Sequence, residues 1–377
     1  MAARLRTHWN CARIAKIVRV KATLALYVFC AFGASAQRMV AVPAQKLPFG
    51  FKNYYFSEVV DARAATSNVG LVLESGLPVA LQVRNGLVKT LSDWAQTTNT
   101  PPDTTRIAVR ISVEACKITE LKKADGTIEG KLVFTLVFER PRDQSAVFLV
   151  RLSGGSTFKR TATVANMAET VLRQSFARGF VGFNDWFVGN YGLNHNLVKG
   201  IKLVVLPDYT PSDAAKDDTV FFARRRPIAW KDFQAGVHFG SRYAAAIYSS
   251  FSYEGKSRVR PDGYLEVGFQ TKTFMIKSSS WTKHTDETPY SLAHEQLHFD
   301  ITHLIAQRFK AKVISMNLDW EDYDSEIQFQ YLEFFREMNR VQLQYDEDTN
   351  HSLARDQQGL WAAKVARELE KYGIKDR

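Results

Sequence analysis

The residues with the clearest chemical potential are His294 and His298 with Glu295 between them, in the stretch Thr288-Pro289-Tyr290-Ser291-Leu292-Ala293-His294-Glu295-Gln296-Leu297-His298. Two imidazoles four residues apart share one helical face, roughly 6 Å from each other, and can grip a single metal ion. The glutamate then stands where it can take a proton from a water bound to that ion. Zinc suits such a site, because catalytic zinc keeps three protein ligands and leaves a fourth position for water. In a chain with only eight histidines the spacing is rare by chance. The competing reading is a pair of histidines satisfied inside a core.

These side chains need a helix to hold them, and the local sequence supplies one. Thr288 can cap, Pro289 suits the first helical position, and neither proline nor glycine follows before Lys312. Ile301, Leu304, Ile305 and Phe309 continue its apolar side. Ile327, Tyr331, Phe334, Met338 and Val341 then predict a second helix over 325–344. Gln357, Trp361, Val365, Leu369 and Tyr372 predict a third over about 353–372. Upstream, 244–253 and 264–276 are expected strands around the turn Pro261-Asp262-Gly263.

The rest of the chain bounds the setting. Residues 1–36 carry six basic residues and no acid, then a short apolar run over 22–34 and Ala34-Ser35-Ala36, the pattern of a cleavable export signal. The run is short for a membrane span, so no transmembrane helix is expected in the mature chain. Without it the formal charge falls from +11 to +5, which removes most of the motive for nucleic-acid binding. Cys11 and Cys30 leave with it. Cys116 is then alone, no internal disulfide can form, and a core role in a strand is expected for it.

Over 38–190, 51–61 suggests a strand, and Val79, Val83, Leu87, Leu91 and Trp94 predict one amphipathic helix across 75–96. Alternating apolar residues from Ile107 and from Leu132 predict a hairpin about Asp125-Gly126. Ala146 to Leu152 can add a strand, and Val164 to Phe176 marks another helix. No catalytic spacing occurs there. Asp61 and Arg63 are expected to form a salt-bridged turn, and Arg224-Arg225-Arg226 a solvated patch. The expected class is α+β with two domains. An accessory layer domain covers 38–190, with an envelope protein as its candidate partner, and a linker region covers 191–226, holding a short apolar strand over 201–206 before the turn at 207–213. A zincin-like domain with a small β-sheet and three helices covers 227–377.

Trp230-Lys231-Asp232-Phe233, Ser280-Trp281, His294 to Ile301 and Tyr345-Asp346-x-x-Thr349-x-His351 occur in that order. Together, over about 227–372, they resemble a bacterial family catalogued as a domain of unknown function and predicted to be secreted zinc-dependent proteases. Ser352 stands where that family is expected to have glycine. The resemblance implies an exported zinc metallopeptidase, periplasmic or secreted, that acts on peptide or protein.

The third ligand is open at this level. His303 is one residue short of the metzincin spacing, where Leu304 stands. His351 follows the second helix, where 345–349 can fold the chain back, and is the preferred ligand beside His294 and His298. Glu326, Glu333 and Glu337 are the carboxylate option, with Glu333 best placed. Asp300 is assigned to packing, as is Tyr345, whose other role would be an oxyanion donor. The strand over 264–276 is a candidate edge for an extended peptide. Two other functions fit the same residues: an envelope binding or assembly protein with a silent metal site, and a zinc amidase acting on cell wall.

Overall fold

A computed structural model describes residues 37–374 apart from Phe51, 98–104, 143–144, 165–166, 212–217, 224–225, 238–239 and Arg242. The export signal and two of the three consecutive arginines lie outside the described residues. The described residues are of mixed α and β structure, with their strands gathered in sheets and five α-helices.

The first half is built around one sheet. Its strands are β1 (Gln37–Val40), β2 (Tyr54–Asp61), β3 (Gly70–Glu74) and β4 (Leu77–Val83), then helix α1 (Leu87–Gln96). Three long strands follow, β5 (Ile107–Lys122), β6 (Ile128–Pro141) and β7 (Ala146–Arg160), before helix α2 (Met167–Asn190). The order across the sheet is β1-β4-β3-β5-β6-β7, and β2 runs parallel beside the first half of β5. At Gly70, a Cβ would sit 1.9 Å from the Ile118 carbonyl oxygen, so only glycine lets β3 approach β5 this closely. Phe176, Phe180, Phe183 and Phe187 recur at four-three-four spacing on α2 and press onto the sheet with Phe56, Phe138 and Trp94. Cys116 is buried in β5 within this core, and burial pushes its thiol up to about 12. Arg63 pairs with Asp61 at 2.7 Å, as the turn between them was expected to allow.

The single helix expected across 75–96 is in fact a strand followed by a shorter helix. Ser75-Gly76 makes a turn with positive φ at both residues, β4 returns antiparallel to β3, and α1 starts only at Leu87. The reason lies in the period. Val79, Val83 and Leu87 are four apart, which fits both a helical stripe and every second inward residue of a strand. Val79, Leu81 and Val83 are all buried, and that alternation is a strand's.

The second half holds a four-stranded sheet under three helices. Its strands are β8 (Ile201–Val205), β9 (Thr219–Phe221), β11 (Ser249–Val259) and β12 (Leu265–Ile276); β10 (Ala245–Ala246) and β13 (Trp281–Thr282) form a separate short pair. β11 lies along one side of β12, and β8 and β9 share the other. The stretch 264–276 is therefore internal, not an edge, because β8, the short apolar strand of 201–206, and β9 both pair with it from within 191–226. Helix α3 (Pro289–Ser315) packs Ile305, Phe309 and Val313 onto Phe251 and Phe269 of this sheet. Helices α4 (Tyr323–Asp348) and α5 (Arg355–Glu370) pack against α3 in turn, α5 through Trp361, Val365 and Leu369. Among the described residues no helix is long and apolar enough to cross a membrane.

Candidate metal centre

Helix α3 begins as its sequence dictates. The Thr288 hydroxyl accepts the Ser291 amide at 3.1 Å, the Ser291 hydroxyl reciprocates to the Thr288 amide, and Pro289 occupies the first turn. This fixes the start of a helix that carries His294, Glu295 and His298, all buried.

The back of α3 is tied down by the motif residues upstream. Asp232 is buried, accepting the Ala229 amide at 2.9 Å and an Arg226 guanidinium N–H at 3.0 Å. The Ile228 amide donates to Gln296 Oε1 at 2.9 Å, and Phe233 and Ile228 pack beside Phe299. Ser280 accepts the Tyr248 amide at 2.9 Å and donates to the Ile276 carbonyl at 2.7 Å. That hydroxyl therefore ties Tyr248 of the 244–248 wall to the end of β12.

Helix α4 brings the remaining groups. Its Gln342 and Asp346 are four residues apart and project toward the two histidines. Nε2 of His298 is 3.0 Å from Asp346 Oδ1, and Nε2 of His294 is 3.2 Å from the same oxygen. The Tyr345 hydroxyl sits 2.8 Å from His294 Nδ1 and 3.3 Å from the His294 carbonyl, so it can accept from the ring and donate to the backbone. Gln342 directs its amide nitrogen to Thr302 Oγ1 at 2.8 Å and to the His298 carbonyl at 3.2 Å, which turns its Oε1 onto His298 Nδ1. Each ring thus has an acceptor for an Nδ1 proton.

That tautomer has a consequence. Two Nε2 lone pairs then face a carboxylate oxygen, three acceptors with no donor among them, and the arrangement calls for a cation. Metal–nitrogen and metal–oxygen bonds of about 2.0–2.2 Å at tetrahedral angles separate neighbouring ligand atoms by ~3.3 Å. The 3.0 and 3.2 Å separations lie close to that value. Ligand atoms of His294, His298 and Asp346 all fall within 4.8 Å of one another, and the residues present fit a metal ion. With a proton on Nε2 instead, the ring donates to Asp346, and the electrostatics describe that ion pair. Burial works against a charged His298, but Asp346 and Glu295 outweigh it and its pKa is raised. Burial likewise works against charge on Asp346, yet its bonds to His294 and His298 hold its carboxyl well below the usual range.

Glu295 is buried beside the three, and its Oε2 accepts the Ile247 amide at 2.9 Å. Burial raises its pKa, against the opposing pull of the two imidazoles. All four residues line an open cleft of about 480 Å³ between the 243–249 segment and helix α4.

His351 also lines this cleft but falls outside the group whose ligand atoms all lie within 4.8 Å of one another. Its Nδ1 is 3.7 Å from Asp346 Oδ1 and its ring packs 4.3 Å from Tyr243. The turn that places it is strained: Asn350, His351 and Ser352 all have positive φ, at 46°, 51° and 71°. It is held by the His351 amide on the Asp346 carbonyl at 2.8 Å and the Ala354 amide on the Thr349 carbonyl at 2.8 Å. Glu333 lies on an exposed face of α4, paired with Arg336, and Glu337 pairs with Arg308 at 2.5 Å. Neither lines the cleft. His303 is buried elsewhere, stacked 3.7 Å over Phe222 with Nδ1 3.0 Å from Thr273 Oγ1. Asp300 accepts from Gln296 at 2.8 Å. Asp346 was not weighed as a ligand from sequence. No local spacing marks it; the packing of α4 on α3 brings it to the histidines.

No family model and no curated protein matches this chain. A solved structure titled "Crystal structure of uncharacterized protein" aligns with 40% of this chain and 97% of its own length, at 10% identity and a TM-score of 0.23. A likeness at that level carries no argument about fold or function.

Proposed function

We propose that the protein is an exported zinc metallopeptidase with His294, His298 and Asp346 as its metal-holding residues and Glu295 as general base. The observation that carries this reading is the convergence of two imidazole Nε2 atoms on one carboxylate oxygen, beside a buried glutamate in an open cleft. Zinc held there would lower the pKa of a water toward neutrality and polarise a carbonyl group.

The chain's own groups account for the rest. Glu295 takes the proton from the attacking water and returns it to the leaving nitrogen, a task that suits a carboxyl whose pKa burial raises. Tyr345 and Gln342 orient the two imidazoles through Nδ1, turning both Nε2 atoms toward Asp346 Oδ1. A peptide is favoured as substrate by the cleft wall. The Lys283 amide donates to the Ala244 carbonyl at 2.8 Å, and Ala245 is opposite Thr282. By antiparallel alternation the Ala245 N–H and C=O then point away from β13, toward the side where the Ile247 amide meets Glu295. An extended chain laid along that wall would find backbone partners there. Export rests on the leader pattern in residues 1–36.

The test is zinc content together with cleavage of a broad peptide library and of denatured protein. Glu295→Gln is expected to keep its zinc and lose roughly 10²–10⁴-fold in turnover. Wild type that holds one zinc per chain and leaves both substrates uncut would overturn the peptidase reading, and a cell-wall digest run beside it separates the amidase alternative.

A further inference from the structure

The cleft has two different ends, fixed by cross-contacts on either side of the metal-holding residues. At one end Tyr243 packs on His351. At the other, Ser249 Oγ lies 3.3 Å from Gln342 Nε2, and the adjoining Tyr248 also lines the cleft. Met338, Gln342 and Asp346 follow one another at four-residue steps along the cleft, and Leu343 lies on the adjoining row. Tyr248 and Leu343 line the cleft yet are 53% and 64% exposed, while Met338, which also lines it, is buried among core residues of the sheet.

Resting on the peptidase reading, we propose that Tyr248, Met338 and Leu343 form the specificity subsite and take a large apolar side chain, aromatic or branched aliphatic, next to the bond that is cut. The exposed Tyr248 and Leu343 gain burial only when such a side chain covers them, and the already buried Met338 supplies an apolar floor. No lysine or arginine is among the described residues lining the cleft, so a carboxylate placed there would lose its water with no opposite charge to replace it. Ala244, Ala245 and Ala246 keep the opposite wall low enough for a bulky group to enter.

The experiment maps cleavage sites in a mixed-peptide library with the full chain, exported and zinc-loaded. Phe, Leu, Met or Tyr should exceed Asp and Glu by about tenfold or more at one position flanking the cut. Leu343→Arg, a change at an exposed position, should reduce that ratio about tenfold or invert it. Library cleavage with no preference at either flanking position, or a preference unmoved by Leu343→Arg, overturns the subsite and leaves the peptidase reading standing. A second arm does not need turnover: zinc-loaded Glu295→Gln is titrated with a benzyl-substituted and a carboxymethyl-substituted hydroxamate. Tighter binding of the benzyl compound, weakened by Leu343→Arg, supports the subsite even if wild type proves silent and the peptidase reading falls. Equal binding of the two compounds overturns it.

Discussion

Asp346 Oδ1 lies 3.0 Å from Nε2 of His298, two side chains that are 48 residues apart in sequence and meet because α4 packs back along α3. His351, five residues further on, lines the cleft with Nδ1 3.7 Å from that carboxylate. The two residues should therefore differ in what they do for the metal. Asp346→Ala is expected to weaken zinc binding by ~100-fold or more, and His351→Ala by less than about tenfold, measured by competition with a chelator. A reversed order would return the third-ligand role to His351.

The metal helix was legible because its signals are local. Thr288, Pro289 and the four-residue histidine step act within one stretch of chain, and α3 begins where they place it. The same holds for the hairpin of β5 and β6, which turns at Asp125-Gly126. What failed was long-range or ambiguous in period. Val79 and Val83 satisfy a strand and a helix alike, and only the buried Leu81 between them decides. Asp346 has no local mark of a ligand; its role depends on the packing of α4 against α3. The internal position of β12 depends on where β8, legible as the apolar run 201–206, finds its partner, and on β9, which follows a stretch whose Pro207 and Pro211 suggest a linker.

Ser352 has a φ of 71° in the turn after α4, a conformation that costs an L-residue on the order of 1 kcal/mol and costs glycine little. Glycine's greater freedom in the unfolded chain takes back part of the gain. Ser352→Gly is expected to raise stability by roughly 0.5 kcal/mol in a denaturant titration, and Ser352→Val to lower it. A neutral or destabilising glycine would mean that the Ser352 side chain contributes something beyond its backbone.

Arg160 and Glu120 form a buried two-pronged ion pair, Nε to Oε1 at 2.7 Å and Nη2 to Oε2 at 2.5 Å. Arg160 also donates to the Leu73 carbonyl, and Glu120 accepts the Leu73 amide, both at 2.7 Å, so the pair joins β7, β5 and β3. Removing one partner leaves the other charge buried and unmatched. Glu120→Ala should destabilise the fold by about 3–5 kcal/mol, and Arg160→Met with Glu120→Leu together by clearly less than the two single changes added. Additive losses in that double-mutant cycle would show that the pair is not coupled.

Asp208 fastens the segment after β8 to the metal helix, accepting from Thr271 Oγ1 at 2.6 Å, Lys310 Nζ at 2.7 Å and Gln307 Nε2 at 2.5 Å. Burial pushes its pKa up, but the Lys310 ammonium and the Thr271 and Gln307 donors outweigh that and hold it below the ordinary value. A carboxyl with a depressed folded pKa stabilises the fold in full above its unfolded pKa of about 3.9. Below that pH the unfolded chain takes up the proton first, and the contribution shrinks as pH falls toward the folded pKa. At pH 7, Asp208→Asn should cost about 2 kcal/mol, the worth of a hydrogen-bonded charged group. The gap from wild type should be flat from pH 7 to about pH 5 and narrow below about pH 4. Urea titrations across that range measure it, and a gap that stays constant into acid would show that the Asp208 carboxylate charge contributes nothing to the fastening.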